Sequence, residues 1–229
     1  MRGDWKLQTL GDACSFERGL TYSKADEVSH SGNAVLRANN IDLLTNSLDL
    51  SEIRYISDNV RIPATKKVKA GSLIICTASG SKSHLGKVAI IEGDCDYAFG
   101  GFMGQITPKN HINPKYLFYV MTSPDYKSFI DGLSSGMNIN NLKFNELQSF
   151  SFAVPPIAEQ SRIVAILDEA LEGIAAAAAN AEKNLASARE LFESYLQFIF
   201  SQRGGSWERP TLERLLERGW ITSHLDGNH

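Results

Sequence analysis

Apolar positions follow two rhythms along the chain, and the change falls at Pro155-Pro156. Ahead of it, short apolar strings alternate with turn signals. Ala34 to Arg37, Ser72 to Thr77, Lys87 to Ile91 and Phe150 to Val154 read as strands, with Gly71, Gly80, Gly86 and the pair Gly100-Gly101 as punctuation. Pro114 to Thr122 and Pro124 to Gly132 read as helices, each opened by a proline at an early position that needs no N–H. The mixture predicts one α+β domain over residues 1–155.

Behind Pro156 the rhythm lengthens. From Ile157 to about Gln202 only Gly173 interrupts a run rich in Ala, Leu and Glu, all strong helix formers. Apolar residues recur at Ile163, Leu167, Ala170, Ile174, Ala177, Ala181, Leu185, Ala188, Phe192, Tyr195 and Ile199, in steps of three and four with one stutter around Ala181 to Leu185. Such a helix spans roughly 70 Å. A helix that long outgrows a 155-residue domain, so the pattern predicts a coiled-coil seam rather than an internal core helix. The small residues Ala175 to Ala179 allow close approach of a partner helix. That partner must come from another subunit or from sequence beyond residue 229.

The tail repeats the beginning. Trp5 to Leu10 and Trp207 to Leu212 share W-x-x-x-T-L, 202 residues apart. After the hinge Gly204-Gly205-Ser206, the same kind of module begins again. The expected organisation is an α+β domain at 1–155, a long dimerisation helix at 156–203, and at 204–229 a hinge and the start of a second, truncated domain.

Composition narrows the class. The 229 residues are 43% hydrophobic, enough for a core, and no apolar run approaches the roughly 20 residues of a membrane helix. The first residues hold no apolar stretch of the secretory type. The three cysteines, Cys14, Cys76 and Cys95, are far apart and form no C-x-x-C, which favours a reduced, cytoplasmic protein over a disulfide or zinc scaffold. The net charge of -3 is unevenly placed: residues 1–156 carry 16 basic and 15 acidic side chains, whereas residues 157–206 carry 4 and 7. Between Arg54 and Ile91, Arg54, Arg61, Lys66, Lys67, Lys69, Lys82 and Lys87 face only Asp58. Such a cluster is either a solvated face or a set of phosphate-neutralising side chains.

Catalytic patterns fail one after another. Around Thr77 to Ser83, Ser81 stands where a P-loop requires its glycine before Lys82. Ser79 and Lys82 match the S-x-x-K of penicillin-binding enzymes, but the K-T-G element is absent. Gly100 to Gly104 is followed by neither a helix nor an acidic ribose partner, and the histidines show no metal-binding spacing. Two polar loops remain. Ser79, Ser81, Lys82 and His84 lie on a glycine-permitted bend between candidate strands, and Ser134 to Lys143 offers Asn138, Asn140 and Asn141. Asn suits adenine and Lys or Arg suits guanine in a major groove. The plainer alternative is that loop asparagines cap helices, with Asn140 or Asn141 capping one that begins near Leu142.

The motifs in order resemble the DNA sequence-specificity subunits of type I restriction-modification systems. They are Trp5 to Asp12, Leu36-Arg37-Ala38-Asn39-Asn40-Ile41, Lys69 to Leu73, Gly86-Lys87-Val88, and Gly136 with Asn141-Leu142. Val154-Pro155-Pro156-Ile157-Ala158-Glu159-Gln160, followed by Ile163-Val164 and Leu167-Asp168, looks like the family's passage into its conserved helix. Ala153 departs from the leucine or proline of that pattern.

The resemblance implies a target recognition domain that reads half of a bipartite double-stranded DNA site, followed by a spacer helix. A full subunit carries the arrangement twice, with its two helices antiparallel, so the chain is expected to be a shortened or partial subunit. It also implies a chain with no catalytic residues, metal or cofactor of its own. It would dock methyltransferase subunits that bind S-adenosylmethionine, and the complex would recruit an ATP- and Mg-dependent restriction subunit. Expected DNA-binding residues are Lys66, Lys67, Lys69, Ser79, Ser81, Lys82, His84, Asn138, Asn140 and Lys143. Ile163, Leu167, Ala170, Ile174, Ala177, Ala181, Leu185, Ala188 and Phe192 form the partner seam, through which a homodimer is also expected. The rival from another class is a coiled-coil assembly module that binds no DNA, and a serine acyltransferase using Ser79 and Lys82 is a third reading.

Overall fold

The computed structural model describes residues 5–30, 32–134, 141–202 and 210–221. The chain opens with β1 (Lys6–Thr9), a single-turn helix α1 (Leu10–Ala13) and β2 (Cys14–Arg18). Three short strands follow: β3 (Glu27–Val28), β4 (Asn33–Leu36) and β5 (Arg54–Ile56). Next come β6 (Leu73–Cys76), β7 (Val88–Ile90), β8 (Ala98–Phe99) and β9 (Met103–Pro108). Helices α2 (Pro114–Met121), α3 (Pro124–Ser134) and α4 (Phe144–Gln148) precede β10 (Ser151–Val154). The 45-residue helix α5 (Ile157–Ser201) and the short α6 (Leu212–Glu217) complete the elements. The fold is therefore α+β with a long helix after the globular part. Two compact units divide at Ala170 and Leu171.

In the first unit, residues 1–170, the strands form three sheets. β1 pairs with β10, β2-β9-β6-β7 is wholly antiparallel, and β3-β5-β4-β8 ends in the parallel pair β4 and β8. The second sheet is covered on both faces, which is why β6 reads as an unbroken apolar string. Leu73 and Ile75 pack with Val88, Ile106, Leu117 and Tyr126 on one side, while Ile74 and Cys76 pack with Leu36, Phe99 and Met103 on the other. Neighbouring β9 escapes a reading from apolar rhythm because Gly104 and Gln105 interrupt it. Gln105 is nonetheless buried, and its Oε1 accepts from the Lys69 N–H at 2.9 Å and the Ser72 hydroxyl at 3.1 Å.

The start of α5 is locked to α2 and the loop before it. Gln160 is fully buried: Oε1 accepts from Asn113 N–H at 2.8 Å, and Nε2 donates to the carbonyls of His111 at 2.9 Å and Pro155 at 2.8 Å. Two turns further on, Asp168 accepts from Tyr119 and pairs with Lys115 at 2.9 Å. Partial burial works against the Asp168 carboxylate, but the hydrogen bonds from Tyr119 and Lys115 outweigh it and hold the carboxyl below its ordinary value. Replacing Gln160 by Ala leaves the Asn113 N–H and two carbonyls without partners, and is expected to cost about 3 kcal/mol. Urea denaturation of the chain, followed through the transition of the first unit, measures this, and a midpoint equal to that of the parent would overturn it.

The second unit, residues 171–229, contains the rest of α5 and α6. All described residues of α5 from Leu171 onward are exposed, including Ile174, Leu185, Leu191, Phe192, Tyr195 and Phe200. Of the expected seam, only Ile163 and Leu167 are half-buried, Ile163 against the core of the first unit. Among the described residues no helix is long and apolar enough to cross a membrane.

Candidate nucleic-acid interface

A groove of about 810 Å³ opens in the first unit where two backbones touch. Leu20 N–H donates to Phe99 O at 2.7 Å and Gly19 N–H to Met103 O at 3.0 Å. A Cβ on Gly19 would stand 1.8 Å from the Gly100 carbonyl oxygen, so a side chain there would prise the floor apart. Gly100-Gly101, read from sequence as a tight turn, thus supplies both the turn and the contact: Met103 N–H closes it onto Gly100 O at 2.8 Å.

The cationic wall comes from the segment joining β4 to β5. Arg37 and Asn39 follow β4, and Arg54 begins β5. The buried Asn40 fixes this segment: its Oδ1 accepts from Arg37 N–H at 2.9 Å, and its Nδ2 donates to Asp49 O at 2.8 Å and Glu52 O at 3.2 Å. The asparagine pair of the Leu36-to-Ile41 motif therefore divides its work, Asn40 holding the loop and Asn39 facing the groove. Lys24 and Tyr22 complete this side. Among the described residues Glu27 is the one carboxylate lining the groove, 3.8 Å from Arg54. Partial burial raises the Tyr22 phenol above its ordinary value, although Arg37 pulls the other way, so it stays protonated and able to donate at neutral pH.

The first polar loop also contributes to the lining. Ser79 and His84 line the groove, while Ser81 is exposed beside it and shares a 2.7 Å hydrogen bond with Ser83. The side chain of Lys82 lies outside the described residues, as do Asn138 and Asn140. The described ends of the two polar loops lie side by side: Ala78 bridges to Asn141, and Leu142 N–H donates to Thr77 O at 2.6 Å. This pairing replaces the expected asparagine cap. The helix begins at Phe144, with Lys143 at its N-cap and Glu146 accepting from the Lys143 N–H at 3.4 Å, because residues 141 and 142 are drawn into the bridge.

The remaining lysines are placed apart from the groove lining. Lys66 binds Glu17 and the Arg18 carbonyl, and Lys67 pairs with Asp96. Lys69 is exposed and forms no ion pair among the described residues, and Lys143 stands 3.8 Å from Glu146. Lys24 and Tyr22 belong to no motif of the sequence, and Phe102 belongs only to the glycine-rich Gly100 to Gly104. Arg37 and Asn39 stand out only as members of the Leu36-to-Ile41 motif, and Arg54 only as one of the basic residues between 54 and 91. The Gly-Gly pair directly ahead of Phe102 was the available signal for that side chain. Among the described residues no group of three or more His, Cys, Asp or Glu side chains is placed to hold a metal ion.

Comparison with known proteins bears on this arrangement. The family described as type I restriction modification DNA specificity domain matches residues 2–183. The type I restriction enzyme StySPI specificity subunit of Salmonella potsdam is 29% identical over 182 residues, covering 78% of this chain and 39% of the relative. The EcoKI specificity subunit of Escherichia coli strain K12 is 29% identical over 170 residues, covering 73% and 36%. The chain thus spans about two fifths of the length of these curated relatives. Among solved structures, the HsdS subunit from Thermoanaerobacter tengcongensis shares the fold at a TM-score of 0.56 and 18% identity, over 77% of this chain and 39% of that one. A chain solved in a study of complex assembly and conformational transition of the type I R-M system does so at 0.58 and 19%, over 87% and 44%.

Proposed function

The chain belongs to the family of type I restriction-modification DNA specificity domains, and from that premise we propose that it reads one half of a bipartite double-stranded DNA target and docks methyltransferase subunits. The groove supports the DNA part of the reading: among the described residues Lys24, Arg37 and Arg54 line it against the one carboxylate of Glu27, together with the hydroxyl- and amide-bearing Asn39, Ser79 and Tyr22. Cations settle on phosphates and fix register, and the polar side chains address base edges. Lys69, exposed elsewhere on the same unit, extends the phosphate contacts.

The chain performs no chemistry itself in this reading. S-adenosylmethionine, ATP and Mg sit on partner subunits in the cytoplasm. The exposed apolar face of α5 takes a second helix, from another copy when no second half is present. Support for a repeated module comes from local geometry. Thr9 Oγ1 accepts from Asp12 N–H at 3.1 Å and Thr211 Oγ1 from Arg214 N–H at 3.3 Å, each threonine capping a helix that opens on leucine. Trp207 itself lies outside the described residues.

Salt titration tests the phosphate assignment. Arg37→Ala, Arg54→Ala and Lys69→Ala are each expected to weaken binding to every sequence and to reduce the slope of log affinity against log salt by about 0.9. Lys66→Ala and Lys67→Ala are expected to change the slope less, because Glu17 and Asp96 already take up those charges. A slope that stays the same in all five variants sinks the assignment.

A further inference from the structure

The groove's rim holds a side chain that phosphate binding does not use. Phe102 is 71% exposed and belongs to none of the three apolar clusters of the unit. Its backbone is nevertheless pinned. The Phe102 carbonyl accepts from Thr77 N–H at 2.9 Å, Ala78 N–H at 3.1 Å and the Thr77 hydroxyl at 3.0 Å, and Thr77 is itself buried. Met103, the next residue, is buried in the core and closes the turn onto Gly100. The ring therefore stands on a fixed turn, beside a bend whose segment 77–78 also pairs with the described end of the second polar loop at Asn141 and Leu142.

A fixed, exposed aromatic ring in a groove with more cations than carboxylates asks for a partner that presents anions and an apolar surface close together. An acidic protein surface offers both without regular spacing. A DNA duplex offers them at fixed spacing, with phosphates flanking bases whose thymine methyls or partly opened steps are apolar. The polar groups of Ser79 and Asn39 in the same groove match base edges as well, so the duplex fits better. We infer that Phe102 makes the groove's apolar contact with a base and so helps to choose the sequence, while Arg37 and Arg54 hold neighbouring phosphates. This rests on the DNA-reading function proposed above.

The test uses the full chain assembled with its methyltransferase subunits and a library of short duplexes with a randomised core. The parent assembly is expected to enrich one motif. Phe102→Ala should bind the enriched duplex about tenfold more weakly, bind an unrelated duplex as before, and keep the parent's salt slope. Phe102→Leu should retain part of the preference. Replacing thymine by uracil at each motif position distinguishes the two base surfaces. A loss that Phe102→Ala abolishes marks a methyl contact, and no loss at any position marks a ring set against an opened step.

Three outcomes overturn the inference while the parent still enriches its motif. One is undiminished discrimination by Phe102→Ala, and another is an equal loss on both duplexes. The third is failure to hold the methyltransferase subunits with DNA preference intact, which would make Phe102 a protein contact. A parent assembly that enriches nothing overturns the DNA-reading function and this inference together.

Discussion

Replacing Ile174, Leu185 and Phe192 together by glutamate is expected to turn a self-associating chain into a monomer at micromolar concentration, with the first unit still folded. The three side chains are exposed on α5, and they are large apolar residues of the seam, separated there by Ala177, Ala181 and Ala188. Burial against a partner helix is worth about 2 kcal/mol for each. Losing all three from both copies removes about 12 kcal/mol, a more than roughly 10⁸-fold weaker association. The penalty for burying the new carboxylates comes on top of that. Glutamate is a strong helix former, so α5 itself survives the change. Sedimentation of parent and variant reads the result. A parent chain that sediments as a monomer at that concentration would dismiss the seam.

Exchange of residues 1–155 for another recognition domain of the family is expected to change one half of the methylated motif in cells and leave the other half and the spacing alone. The effect is close to all-or-none, because specific sites are bound about 10³- to 10⁷-fold more tightly than random DNA. Original sites should lose modification altogether. Methylome sequencing reads both halves at once. An unaltered motif would favour the rival reading, in which α5 assembles a complex and the globular unit binds protein.

The long helix was legible in the sequence from end to end because its rhythm is local: steps of three and four residues need no knowledge of the rest of the fold. Strands β6 and β7 were legible for a related reason, since burial makes each an apolar string, and β4 and β10 through the buried apolar residues at their ends. Strand β9 was hidden by Gly104 and Gln105, whose places are set by neighbours distant in sequence: the Gln105 side chain serves Ser72 and the Lys69 backbone. Strand β1 was hidden because Leu7 is 65% exposed and the strand is held by pairing rather than by burial.

The candidate site was legible only in part. Ser79 and His84 announced themselves as polar residues on a glycine-marked bend, and they line the groove. Arg37 and Arg54 are seventeen residues apart, and nothing local shows that Asn40 folds their connecting segment back on itself through Asp49 and Glu52. Lys66 and Lys67, expected from charge counting to contact DNA, have acidic partners 49 and 29 residues away in sequence. A local tally of charge does not show pairing at that range.

The ribbon of β1 and β10 also sets an order of events during synthesis. Lys6 pairs with Val154 and Thr9 with Ser151, so the ribbon closes only after almost the whole recognition domain has left the ribosome. At about 5–20 residues per second, the 45 residues of α5 then take several seconds more to appear. The globular unit thus has its last strand in hand before the apolar face of the helix emerges. A nascent chain meets its partner helix with the groove's domain already able to fold, which keeps the sticky face away from unfinished sheets.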